Sequence, residues 1–162
     1  MLAMSRSTEN WFTNLWMGTK SPNFRTDLGF TTENNWIANN LRHEYRFRSS
    51  GLIRSGEIGI STKFIHDYDD ILLQQEYEIN GEVNLSNQFE FRSGYKVNKK
   101  ISFEGNSFSD LTNTNFSTTF SPSGKFYIRA GLNFGESVAR RLSEPVIGCL
   151  LYTSPSPRDL RA

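Results

Sequence analysis

The chain has 162 residues, with 18 Lys and Arg against 17 Asp and Glu and a formal charge of +1, interspersed rather than gathered on a stripe, which excludes a nucleic-acid binder. No apolar run approaches the roughly 20 residues of a transmembrane helix, so a helical membrane protein is excluded; a β-barrel is not, because only alternate residues of its strands meet lipid. Thirteen Phe, six Tyr and three Trp, among many Asn, Ser, Thr and Gly, favour strands and turns, and the single cysteine, Cys149, excludes a disulfide framework or a thiolate metal site.

Residues Met1 to Arg6 contain no basic region followed by an apolar core, so they do not read as a signal peptide. An outer-membrane protein needs one, so a membrane reading makes the chain a fragment. The first predicted strand is Asn10 to Thr19, followed by a long loop, Lys20 to Thr32, with Pro22 and Gly29. Trp36 to Arg48 alternates Ile37, Leu41, Tyr45 and Phe47 with Arg42, Glu44, Arg46 and Arg48. Leu52 to Ile65 places Ile58, Ile60, Thr62 and Phe64 on its drier side, and the acidic segment His66 to Asp70 turns the chain.

Ile71 to Leu85 is the longest clean alternation. Ile71, Leu73, Gln75, Tyr77, Ile79, Gly81, Val83 and Leu85 lie opposite Leu72, Gln74, Glu76, Glu78, Asn80, Glu82 and Asn84. At about 3.3 Å per residue it reaches roughly 50 Å, against about 17–20 Å for ordinary globular strands, an excess that suits a barrel projecting past a bilayer. Gln88 to Val97 sets Phe89, Phe91, Tyr95 and Val97 opposite Gln88, Glu90, Arg92 and Lys96. The apolar faces of these two strands must coincide, which restricts the register. A tip at Asn87 pairs Val83 with Phe91, Ile79 with Tyr95, Glu82 with Arg92 and Glu78 with Lys96; the next register would set Glu82 against Glu90, a like-charge pair that destabilises.

Asn98 to Thr112 reads as a loop. Asn113 to Phe120 is a strand that turns at Ser121-Pro122-Ser123-Gly124 into Lys125 to Phe134. There one face reads Phe126, Ile128, Ala130, Leu132, Phe134 and the other Lys125, Tyr127, Arg129, Gly131, Asn133. Rings at both ends with hydrocarbon between them is the pattern of a strand crossing a bilayer. Its eight steps are roughly 27 Å, or roughly 20 Å of depth at a tilt of about 40°, close to the apolar band of about 25 Å on outer-membrane barrels.

The fold class expected is therefore all-β, an antiparallel up-and-down meander of about seven long strands. That is too few to close, hence an incomplete outer-membrane β-barrel. Alternation alone does not say which face points inward, since a soluble sandwich buries the face that a porin exposes. Aromatics near strand ends and opposite charges in cross-strand register favour the porin-like choice. It makes Ile79, Val83, Phe126, Ile128, Leu132 and Phe134 lipid-facing, and Glu78, Glu82, Arg92, Lys96 and Arg129 lumen-facing. The alternative is a soluble antiparallel β-sheet ligand-binding module, such as a lectin-like sandwich.

The loop Ser21-Pro22-Asn23-Phe24-Arg25-Thr26-Asp27-Leu28-Gly29-Phe30 resembles a recurring segment of a bacterial outer-membrane protein family common in Bacteroidetes. Full-length members carry an N-terminal domain resembling family-nine carbohydrate-binding modules, followed by a long β-barrel region. Weaker echoes are Phe103-Glu104-Gly105-Asn106-Ser107-Phe108, and Gly135-Glu136-Ser137 leading to Pro145-Val146-Ile147-Gly148. The resemblance implies that roughly residues 10–148 belong to the barrel region, in the bacterial outer membrane. The module is absent, so no sugar-binding residue carries over. Cys149 to Asp159, by contrast, resembles one reading frame of a transposase-end sequencing adapter. Residues 1–148 are accordingly expected to form a partial transmembrane barrel, and 149–162 a non-native, disordered tail.

The function expected is passage or surface binding of a solute, without catalysis and without a cofactor. The partners expected are outer-membrane lipid and a carbohydrate or other small solute. Gly56 and Gly59 lie inside a strand pattern and form no phosphate loop. His43 and His66 lack ligand spacing. Asp67, Asp69 and Asp70 could hold Ca²⁺ but read more simply as an exposed acidic turn. Glu76, Glu78 and Glu82 could suggest a glycosidase pair, but Glu78 and Glu82 have basic partners in the derived register.

Overall fold

A computed structural model describes residues 1–23, 34–103, 105–123, 126–139 and 146–157. Ten strands follow one another: β1 (Leu2–Ser7), β2 (Trp11–Lys20), β3 (Trp36–Arg48), β4 (Ile53–His66), β5 (Leu72–Leu85), β6 (Phe89–Phe103), β7 (Asn106–Phe108), β8 (Leu111–Ser123), β9 (Phe126–Ala139) and β10 (Val146–Pro157). They form one antiparallel sheet in the order β1-β2-β3-β4-β5-β6-β8-β9-β10, with β7 paired to β6; β1 and β10 are edges, and the sheet is not closed. Among the described residues there is no helix.

The expected meander is present, but with ten strands rather than about seven. The expected loop from Asn98 to Thr112 is the first correction. β6 continues to Phe103, and β7 folds back on it, with Ile101 opposite Phe108. A bulge hides this continuation from periodicity. Glu76 pairs with Asn98 and Gln75 with Lys100, so Lys99 is an extra residue and the faces exchange beyond it. β1 is the second addition. The third is β10, which pairs Val146–Pro157 with β9 where disorder was expected from Cys149 onward. Most of Ser21 to Phe30 lies outside the described residues, as do Glu104 and Pro145 of the weaker echoes.

The β5–β6 register is the derived one: Val83 opposite Phe91, Ile79 opposite Tyr95, Glu82 opposite Arg92, Glu78 opposite Lys96. Its turn explains why. The Gln88 N–H donates to the Leu85 carbonyl at 3.2 Å, and Gln88 takes the left-handed conformation (φ 69°) that closes a three-residue hairpin loop. The β4–β5 turn repeats the device, with Asp70 at φ 61° and its N–H donating to the Asp67 carbonyl at 3.2 Å. Asp67 Oδ1 also accepts from the N–H groups of Asp69 (3.0 Å) and Ile71 (2.8 Å). The acidic segment is thus turn chemistry, an aspartate satisfying its own backbone.

Alternation and register sort the side chains onto two faces of a single layer. One carries Trp11, Leu15, Leu41, Tyr45, Ile58, Ile60, Tyr77, Ile79, Tyr95, Phe116, Leu132 and Phe134. The other carries Arg42, Glu44, Arg46, Glu57, Glu76, Glu78, Asn80, Glu82, Arg92, Lys96, Asn113 and Asn115. The apolar face is the exposed one: Ile79 is 47% and Ile128 48% accessible. Among the described residues only Ala38 (3%) and Leu111 (2%) are buried hydrophobics, whereas Glu44 is completely buried. An ordinary soluble domain has the opposite arrangement.

Crowding on the polar face is accommodated by alternating large and small residues. The row through Glu44 runs Glu44, Gly59, Asn80, Gly94, Asn115 across five adjacent strands. A Cβ on Gly59 would lie 2.9 Å from Asn80 Oδ1 and 3.1 Å from Glu44 Cγ; one on Gly94 would lie 2.7 Å from Asn115 Nδ2. Gly59→Val is therefore expected to lower stability by about 1–3 kcal/mol in a urea titration. Gly51→Ala, at a position with nothing within 4 Å, should leave the midpoint unchanged.

Candidate functional site

Among the described residues, most side-chain ion pairs lie on the polar face of β3 to β6. One hydrogen-bonded row reads Arg46, Glu57, Glu82, Arg92, so two like-charged glutamates sit directly opposite each other on β4 and β5. Their repulsion is offset from both sides. Arg46 Nε is 3.5 Å from Glu57 Oε2, and Arg92 Nε is 2.6 Å from Glu82 Oε2, with Arg92 Nη2 also 3.1 Å from Glu90. Asn84 Nδ2 donates to the other Glu82 oxygen at 2.8 Å.

Glu44 anchors the neighbouring row. Arg42 bonds one carboxylate oxygen and Arg46 Nη2 the other at 2.6 Å, so the buried charge is neutralised by flanking residues of its own strand. Arg46 also lies 4.7 Å over the Phe12 ring. Farther along, Lys96 Nζ lies 3.6 Å from Glu76 and 4.0 Å from Glu78. An open cavity of about 530 Å³ is lined in part by Glu9, Arg46, Arg48, Glu57, Glu82 and Asn84. Its walls are of mixed charge and its carboxylates at Glu57 and Glu82 are already paired.

The structure brings Glu78, Glu82, Arg92 and Lys96 together on β5 and β6. Arg129 shares their face but stands two strands away, exposed, opposite Thr119 on β8. Ile79, Phe126, Ile128, Leu132 and Phe134 are exposed, and Val83 is half-buried. His43 is on the apolar face, with Nδ1 2.7 Å from Thr13 Oγ1 and its ring stacked 5.0 Å from Trp11. Among the described residues no cluster of His, Cys, Asp or Glu is suited to a metal ion. At the Lys99 bulge, Lys99 Nζ donates to Asp110 Oδ1 at 2.6 Å.

Glu44 was visible in the sequence only as one charge among four on its strand. Its burial follows from Gly59 opposite it, a pairing that needs the β3–β4 register. Trp16 and Trp36 were likewise unassigned. Their place on the polar face follows once Leu15 is paired with Leu41 and Trp16 with Asn40.

Comparison of the chain with protein-family models, with curated proteins and with solved structures gives no match. Function must be argued from the two faces themselves.

Glu44→Ala would leave Arg42 without its carboxylate and Arg46 with Glu57 alone, and both arginines still reach water. It is expected to cost about 1–3 kcal/mol in denaturant titration, less than the roughly 3–5 kcal/mol of a wholly buried pair. Glu78→Ala, on the same face but half-exposed, should cost under about 1 kcal/mol.

Proposed function

We propose that this chain is part of a bacterial outer-membrane β-barrel, with its apolar face against lipid and its polar face lining a hydrated lumen that passes or binds a solute without catalysis. The observation that carries the reading is the inversion of burial. Ile79, Ile128, Leu132, Phe126 and Phe134 are exposed with no second layer over them among the described residues, while Glu44 is buried and Glu78, Glu82, Arg92 and Lys96 share the other face. In water an apolar surface that broad is a liability; in lipid it needs no cover.

The geometry of the apolar band gives further support. On β9 it is centred on Ala130, but the hydrogen-bond row through Ala130 passes Thr118, Phe91, Val83 and Gly56 and meets β3 at Phe47, the far end of the series Ile37 to Phe47. The band slides along the strands by about one residue per strand. With about 3.3 Å per residue and about 4.8 Å between strands, that is a tilt of roughly 35°, as barrel strands have. Rings gather towards the borders of the sheet: Phe89 and Phe120 stack at 4.5 Å and Tyr45 and Phe47 at 6.5 Å at one, and Phe64 lies 5.9 Å from Tyr77 towards the other. Bilayer interfaces favour such rings. The two unpaired edges require further strands, because unsatisfied backbone groups cost several kcal/mol each in hydrocarbon.

The three tryptophans allow a direct test. Trp11 lies on the apolar face, and Trp16 and Trp36 on the polar face. In vesicles with brominated acyl chains, Trp11 fluorescence in the Trp16→Phe/Trp36→Phe double variant should be quenched. The pair that remains in Trp11→Phe should be largely spared. Equal quenching of both, or a sheet that forms fully in buffer without lipid or detergent, would overturn the membrane reading in favour of a soluble module. Independently, Ile79→Arg should weaken insertion by about 2–4 kcal/mol if that residue lies near mid-bilayer.

A further inference from the structure

Between the bulges, strands β4, β5, β6 and β8 place no aromatic residue on the polar face. On β2 and β3 that face carries Phe12, Trp16 and Trp36. Two large indoles on a charged, hydrated surface run against the pattern of the rest of the sheet. Their setting is specific. The ring centroids are 6.5 Å apart with planes 33° from parallel. Both approach Gly18, which pairs directly with Ala38, and both of these small residues are buried. A Cβ on Gly18 would lie 2.6 Å from Trp16 Cη2 and 3.4 Å from Trp36 Cζ3, so the absence of a side chain there makes room for the Trp16 ring. Each indole is half-buried, so part of each ring remains accessible.

The rim of the pair is polar and available. Asn40 is the cross-strand partner of Trp16, and Asn14 stands one row along opposite Arg42. Neither asparagine amide has a hydrogen-bond partner among the described residues, so both can donate and accept. Arg42 is already committed to Glu44. Lys63, opposite Asn40 on β4, adds positive charge to the same face, which disfavours a cationic ligand over the rings.

We propose that Trp16 and Trp36 form a platform for a pyranose sugar, with an oligosaccharide stacked on the accessible part of the indoles and its hydroxyls bonded to Asn14 and Asn40. A pyranose ring presents carbon-bound hydrogens on its flat side, which suit the negative face of an indole, and a rim of hydroxyls that both donate and accept. The inference rests on the reading of the polar face as open to solute, and names the class of solute.

The test uses the full chain in whichever medium, buffer or detergent micelles, shows its β-sheet circular dichroism. Trp11→Phe removes the reporter on the opposite face. Titration of that variant with maltotetraose, cellotetraose and chitotetraose should give a saturable fluorescence change with at least one of them, and none with sorbitol, an acyclic polyol. Calorimetry should show affinity reduced at least tenfold in Trp16→Ala and Trp36→Ala, several-fold in Asn40→Ala, and less in Trp16→Tyr, which keeps a ring. No saturable signal with any of the three sugars, or unchanged affinity in both alanine variants, overturns the platform. If an alanine variant loses the sheet, Trp16→Tyr and Asn40→Ala decide: full affinity in both overturns it. Sugar binding by a sheet that forms in buffer would sink the membrane reading and keep the platform. Selective lipid quenching of Trp11 without sugar binding would do the reverse, and no sheet in either medium overturns both.

Discussion

A single-layer sheet must find cover for its apolar side chains outside itself, and every other feature of this molecule answers to that constraint. In a sandwich, a second sheet at about 10 Å would supply the cover. Here all described strands lie in one layer, and the side chains that crowd one another are charged. Hydrophobic burial, ordinarily the largest favourable term in folding, is not supplied by a core among the described residues, where only Ala38 and Leu111 are buried hydrophobics. What the chain must supply internally is backbone pairing and a compatible polar face.

That second demand shapes the sequence of β3 to β6. Opposite charges placed in one row would be simplest, yet Glu57 faces Glu82 directly. The arrangement holds because the outer members of the row, Arg46 and Arg92, each approach the adjacent glutamate. The row beside it is solved sterically rather than electrically, with glycine at every second strand to admit Glu44, Asn80 and Asn115. Small-against-large alternation of this kind fills the narrow interiors of small barrels. Charge and volume are thus balanced across strands that are distant in sequence, which is why no single strand reveals it.

What could be read in advance followed the same division. The seven middle strands and the β5–β6 register were legible because period-two alternation is unbroken there and Glu82 rejects Glu90 as a partner. The stretch after Val97 was not, because one extra residue at Lys99 moves Ile101 onto the polar face and destroys the apparent period. β1 is short, and its alternation of Leu2 and Met4 with Ala3 and Ser5 is too weak to stand without β2 beside it. The charges at Glu78, Glu82, Arg92 and Lys96 were placed correctly relative to one another. The tryptophan pair is only half legible: the parity of Trp11, Leu15 and Met17 on β2 puts Trp16 on the other face, but its approach to Trp36 needs the β2–β3 register.

The edge at β10 extends the argument about cover. Opposite Ile128, Ala130 and Leu132 on β9, the register sets Pro157, Pro155 and Thr153. These residue types do not continue an apolar band. The two prolines also lack N–H groups at alternate positions, so whichever side those positions face, one ladder loses two donors. An edge strand tolerates that and an interior strand of a barrel does not. β10 thus suits the border of the sheet, and its residue types do not extend the apolar band of β9.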